Sequence, residues 1–168
     1  KAFLKQNVAA LKKAEKLFGV DREVIAALLW VETRHGSVTG NFNVSSVYAS
    51  LSVADTTRSR RYLVKEAIQD RLPASLTLKE VKKQIRSRTK KKTKWAIGEL
   101  RTLEKIFLTK RQDLHKLQGS FAGAFGIPQF VPSSYQRLAF TTRPDGRPDL
   151  NQADDAILSV ANFLKKKG

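Results

Sequence analysis

The sequence predicts an all-α fold, and three observations predict it. Apolar residues recur three and four apart along most of the chain, with Lys and Arg on the opposite faces. Gly, Pro and capping residues fall between these stretches rather than inside them. No two segments alternate with period two in a way that would pair as strands. At 168 residues and 41% hydrophobic content the chain can bury a core of its own. It reads as a single domain over 1–168, with 56–117 as a variable helical insertion or lobe.

The elements follow in order. Phe3, Leu4, Val8, Leu11, Ala14, Leu17 and Phe18 predict one helix over 2–18, ended by Gly19. Asp21 is a good N-cap for a second helix from Val24 to about His35, with Val24, Ile25, Leu28 and Leu29 inward and Gly36 as its stop. Residues 37–46 are rich in Gly, Asn, Ser and Thr and read as a loop. Val47 to Val53 predicts a short helix, 55–61 a polar break, and Tyr62 to Arg71 a helix closed by Pro73. Thr77 caps a further helix carrying Leu78, Val81 and Ile85. Arg86 to Lys94 is the densest charge run and reads as a solvated turn or helix face. Trp95, Ile97, Leu100, Leu103, Ile106 and Phe107 predict a long amphipathic helix after it. Residues 141–152, with two prolines and Gly146, read as a loop, and Asn151 caps a last helix with Ile157, Val160, Ala161 and Leu164 inward.

Composition excludes several classes. There is no Cys, so no disulfide frame and no thiolate metal site. With only His35 and His115 a zinc enzyme is not expected. No apolar run approaches the length of a membrane span. The chain starts on Lys, which reads as a processed or shortened product in which a signal peptide would be invisible. The net charge of +17 fits two polyanion partners, nucleic acid and the anionic bacterial wall, and does not separate them.

Glu32 breaks the pattern of its helix. It lies three residues after Leu29 and four after Leu28, on the predicted buried face. Desolvation there, and the negative end of the helix dipole, would both favour the neutral carboxyl that a general acid needs. The competing reading is a structural ion pair with Arg34 or a distant Lys. The glycine-rich stretch 119–130 poses a similar choice. Ser120, Gln129 and Tyr135 could hydrogen-bond a polar ligand while Phe121, Phe125 and Phe130 offer flat faces, as a sugar requires; the competing reading is close packing at small residues. Asp145, Asp149, Asp154 and Asp155 fall in the polar loop or the first turn of the last helix, which leaves Glu32 as the one acid expected in an apolar setting.

Three motifs in order carry a resemblance. They are Val31-Glu32-Thr33-Arg34-His35-Gly36, then Gly119-Ser120-Phe121-Ala122-Gly123-Ala124-Phe125-Gly126-Ile127-Pro128-Gln129-Phe130, and Asp155-Ala156-Ile157-Leu158-Ser159-Val160-Ala161-Asn162-Phe163-Leu164. Together they resemble the lytic murein transglycosylase B family, over most of 15–55 and 118–168. The resemblance implies a lysozyme-like α fold and a single acid/base, Glu32, cleaving the bond between N-acetylmuramic acid and N-acetylglucosamine with a 1,6-anhydro product. One carboxylate then suffices, because the nucleophile is the muramic 6-hydroxyl. It also implies Ser120, Gln129, Phe130, Tyr48 and Tyr135 as substrate-binding residues. No cofactor is implied. The expected setting is the periplasm or cell envelope, the expected partners are peptidoglycan strands and the anionic wall, and a monomer without nucleic acid is expected. Arg60 and Arg61 could meet a peptide carboxylate.

Departures from the family are as informative. His35 stands where an aromatic is common, and Ile127-Pro128 where a more polar or Gly-containing pair is usual. The family can carry an EF-hand-like calcium loop, matched here by 141–152. Thr141, Arg143 and Gln152 stand at its positions 1, 3 and 12, where carboxylates are wanted, so no metal is expected. Members continue past the position of Gly168 with a segment that helps close the site; a groove without it would be more open, with lower or endolytic activity. These departures motivate a second reading, a wall-binding or assembly protein that kept the fold and lost the activity. A basic nucleic-acid binder is disfavoured because the charge run has only Trp95 beside it for stacking.

Overall fold

The computed structural model describes residues 2–69, 76–110 and 116–168. It is helical, as predicted. The helices are α1 (Ala2–Gln6), α2 (Val8–Phe18), α3 (Arg22–Thr33), α4 (Val44–Ser52), α5 (Thr57–Gln69), α6 (Leu78–Lys110), α7 (Pro132–Leu138) and α8 (Ala153–Lys167). Two strands of two residues, β1 (Phe42–Asn43) and β2 (Gln118–Gly119), pair antiparallel with Phe42 opposite Gly119. This small pairing is absent from the sequence reading because two-residue strands carry no periodicity.

The predicted first helix is broken at Asn7, whose side chain and backbone both donate to the Phe3 carbonyl at 3.0 Å. Gly19 ends α2 in the left-handed region at φ +69°, its N–H reaching the Glu15 carbonyl. α8 is the central element. It is buried from Asp155 to Asn162, all round, because α2, α3 and α7 pack about it. Leu11, Ala14, Ile25, Leu29, Ile157 and Val160 form one core with it. Val24, predicted inward, is instead exposed.

A second core joins α4, α6 and α7 through Val44, Tyr48, Ala96, Leu103, Phe107, Phe125 and Tyr135. α6 runs unbroken for 33 residues, about 50 Å at ~1.5 Å per residue. The charge run 86–94 is therefore helix, not a turn. Thr77 and Glu80 form a capping box at its start, with Thr77 N–H on Glu80 at 2.8 Å and Glu80 N–H on Thr77 at 3.3 Å. Only the second half of α6 joins the core. Its buried line is Ala96, Glu99, Leu103 and Ile106, with Trp95 and Ile97 left exposed. The first half forms a basic arm with α5, which has no buried residue. Asp55 anchors the arm, accepting from Thr89 at 2.8 Å and Arg60 at 3.0 Å. The Thr89 hydroxyl first, then the Arg60 charge, hold its carboxyl below the usual range. The predicted closure at Arg71 and Pro73, and His115, lie outside the described residues.

Candidate functional site

Glu32 sits in the last turn of α3. The helix ends there because the chain turns left-handed at three successive residues, Arg34 (φ +50°), His35 (φ +59°) and Gly36 (φ +92°). Arg34 and His35 pay a conformational penalty that a glycine would not. The neighbours enforce it. His35 stacks on Phe3 at 3.9 Å and its Nε2 donates to the Ala26 carbonyl at 2.9 Å. Thr33 is buried, and its hydroxyl donates to the Ile127 carbonyl at 2.7 Å while accepting the Gly36 N–H at 2.9 Å.

The expectation of a buried Glu32 is overturned: the residue is exposed. The buried line of α3 is Ile25, Ala26, Leu29 and Thr33. Glu32 falls about 75° of helical rotation from the centre of that line, at its edge rather than on it. Among the described residues it forms no ion pair, so the alternative of a structural bridge to Arg34 is not realised either. What remains is an open carboxylate on a fixed turn.

The glycine-rich segment docks against that turn. Gln129, itself left-handed at φ +51°, donates from Nε2 to the Thr39 carbonyl at 3.1 Å and to Gly126 at 3.0 Å. Any Cβ at Gly40 would stand 2.2 Å from the Gly119 carbonyl oxygen, so the two loops meet backbone to backbone. Ser120 accepts the Ala124 N–H on its Oγ at 3.2 Å. The structure thus brings the Glu32 turn, Ser120 and Gln129 into one wall, linked through Thr33–Ile127 and Gln129–Thr39.

Tyr48, Tyr135 and Phe130 are placed differently from the sequence expectation. Tyr48 is fully buried, with its ring under Gly123, where a Cβ would come within 2.6 Å, and its hydroxyl on the Gly123 carbonyl at 3.0 Å. Burial, with the Glu99 charge nearby, pushes its phenol far up. Tyr135 donates to the Pro148 carbonyl at 2.7 Å and is pushed up to about 12, first by burial. Phe130 packs on Phe163. Each has its surface committed to the core, so all three support the wall from behind. Phe121, which is 77% exposed, and Phe42 are accessible aromatics of these loops. They line a shallow cleft of about 280 Å³ with Asn43, Ser46 and Ser50. Phe42 was missed because an isolated aromatic in a polar loop has no pattern around it.

A second missed residue is Glu99. It is 5% exposed, so the acids in an apolar setting among the described residues are Glu99 and Asp155, and not the exposed Glu32. Both its oxygens are occupied, accepting the Ser133 N–H at 2.8 Å and the Ser133 hydroxyl at 2.7 Å. Pro132 opens α7 and Val131 supplies no side-chain cap, so Glu99 caps that helix from across the core. Its spacing with Ala96 and Leu103 was the signal that could have found it.

The 141–152 loop does not fit a divalent metal. Among the described residues no three His, Cys, Asp or Glu side chains converge on a common point. Asp145 and the buried Asp155 instead face the Arg143 guanidinium. On the basic arm, Arg60, Arg61, Lys82 and Arg86 ring a cleft of about 570 Å³ floored by Val64 and Ile85.

Comparison with known proteins adds to this geometry. Residues 1–168 match the family model of the transglycosylase SLT domain. The membrane-bound lytic murein transglycosylase B of Escherichia coli is 31% identical over 166 residues, 99% of this chain and 37% of that protein. An E. coli lytic transglycosylase solved in complex with calcium is 32% identical at a TM-score of 0.74, covering 99% of this chain and 43% of that one. SltB3 from Pseudomonas aeruginosa, solved in complex with NAG-anhNAM-pentapeptide, is 25% identical at a TM-score of 0.73, with 99% and 36% covered. The chain therefore spans well under half the length of each of these relatives.

Proposed function

Given that the chain belongs to the transglycosylase SLT domain family, we propose that it is the catalytic core of a peptidoglycan lytic transglycosylase with Glu32 as its single acid and base. The observation that carries this reading is the exposed, unpaired Glu32 on a turn bonded to the glycine-rich wall through Thr33 and Ile127. Glu32 gives its proton to the glycosidic oxygen, and the bond from that oxygen to the muramic anomeric carbon breaks. The muramic 6-hydroxyl oxygen then bonds to the same carbon, and the Glu32 carboxylate takes the hydroxyl proton. The product is a 1,6-anhydro sugar, and no water enters. A hydrolase of either stereochemistry would place a second carboxylate at the reacting centre; the two buried acids among the described residues, Glu99 and Asp155, are already engaged by Ser133 and Arg143. That SltB3 was solved with an anhydro-sugar peptide is in keeping with this chemistry.

Ser120, Gln129 and Phe121 are the groups that would meet the glycan, with Tyr48, Phe130 and Tyr135 shaping the wall behind them. Arg60 and Arg61 would receive stem-peptide carboxylates. The setting is the cell envelope, where the charge of +17 holds the domain on the anionic wall and salt loosens it. The test is product analysis of purified murein sacculi. The wild type should release 1,6-anhydromuropeptides and Glu32→Gln none. Reducing-end products would make it a hydrolase. Sacculus binding by both proteins with no turnover by the wild type would instead favour the non-catalytic wall-binding reading, which the unusual 141–152 loop supports.

A further inference from the structure

We infer that the guanidinium of Arg143 is the built-in cation of residues 141–155, so that this segment closes without a divalent ion. Asp155 is 2% exposed, and a carboxylate so buried needs a positive partner. Its Oδ2 accepts the Asp149 N–H at 2.7 Å and lies 2.9 Å from Arg143 Nη2. The Asp145 carboxylate stands 4.0 Å from Arg143 Nε, and the Arg147 carbonyl accepts from Nη2. Two carboxylates and a backbone carbonyl are the oxygen donors that a hard cation such as calcium takes. Here all three address one guanidinium, whose planar set of donors can serve several acceptors at once. Two further bonds close within the segment: Arg147 N–H on Asp145 at 3.1 Å, and Asn151 N–H on Asp149 at 3.0 Å.

The segment so closed bears on the glycine-rich wall. The Leu150 carbonyl accepts the Ile127 N–H at 2.8 Å, and the Pro148 carbonyl accepts from Tyr135. Ile127 is the residue that Thr33 holds. A side chain supplied by the fold thus braces the wall that Thr33 holds from the Glu32 turn; an E. coli relative was solved in complex with calcium. The inference concerns the loop and not the reaction, so its test reads calcium and melting rather than turnover.

Calcium chloride is titrated into the wild-type domain by calorimetry, and melting is followed in calcium and in EDTA. No saturable heat and an unchanged melting temperature are expected. Arg143→Gln, which keeps length and removes charge, should melt about 4–8 °C lower in either buffer. Arg143→Asp should melt lowest in EDTA and recover by several degrees in calcium, since it adds a third carboxylate beside Asp145 and Asp155. Saturable calcium binding that raises the wild-type melting temperature would overturn the inference, and so would an Arg143→Gln protein as stable as the wild type.

Discussion

Glu99 offers the sharpest separation of a structural acid from a catalytic one. Replacing it with Ala removes both acceptors of Ser133, and the N-cap residue Val131 supplies no side-chain cap to α7. Hydrogen bonds to a charged group are each worth about 1.5–3 kcal/mol, and the favourable end of a helix dipole adds about 0.3–1 kcal/mol. The loss should be about 3–7 kcal/mol, which at about 2–4 °C per kcal/mol in a domain of this size lowers the melting temperature by roughly 6–28 °C. Replacing it with Gln is milder for a stated reason. The amide oxygen still accepts the Ser133 N–H, and the amide nitrogen donates to the Ser133 Oγ once that hydroxyl rotates. Only the charge is lost, about 1–2 kcal/mol or 2–6 °C. Calorimetric melting measures both variants, and murein digestion at 25 °C measures turnover. Glu99→Gln should stay within about threefold of the wild type, while Glu32→Gln is inactive. A folded Glu99→Gln protein without turnover would mean a second acid takes part, and the single-carboxylate mechanism would fall. An Ala variant that melts with the wild type would refute the cap.

Two further outcomes follow from buried polar groups. Thr33→Val keeps the shape of the side chain but strands the Ile127 carbonyl and the Gly36 N–H, so it should cost about 2–4 kcal/mol and lower kcat in murein digests even well below its melting point; unchanged kcat would show that the wall needs no such tie. Tyr135 is pushed up to about 12, against about 10 in the unfolded chain. Between those values the unfolded chain has lost a proton that the folded chain keeps, so stability falls as pH rises through this window. Urea unfolding between pH 8 and 11.5 should show that fall, and Tyr135→Phe should make it shallower, the remainder coming from Tyr48, which burial also pushes up; equal slopes would contradict the assignment.

Much of the fold was legible because apolar spacing reports which side of a helix is covered. Gly19, the α3 stripe at Ile25 and Leu29, and the run through Ile157 and Val160 are where the pattern placed them. The candidate site was legible as motifs, whose chain segments the structure ties together through Thr33 on Ile127 and Gln129 on Thr39. What spacing could not reveal was how far each face is covered by elements distant in sequence. Glu32 sits beside a buried line and is open, while Glu99 and Asp155 sit within buried lines and had passed as ordinary polar residues. Tyr48 and Tyr135 had the chemistry of ligand contacts, but their hydroxyls are used on carbonyls 75 and 13 residues away. Such long-range partners leave no local trace.

The basic arm gives the domain a lopsided charge. Residues 57–94 hold 14 of the 32 Lys and Arg and only 3 of the 15 Asp and Glu, so 11 of the 17 net positive charges lie in less than a quarter of the chain. A body charged in this way carries a large permanent dipole moment. Near an anionic sheet it experiences a torque before it makes contact, and it arrives arm first. On the proposed function, the arm would be the first part of the domain to meet the wall.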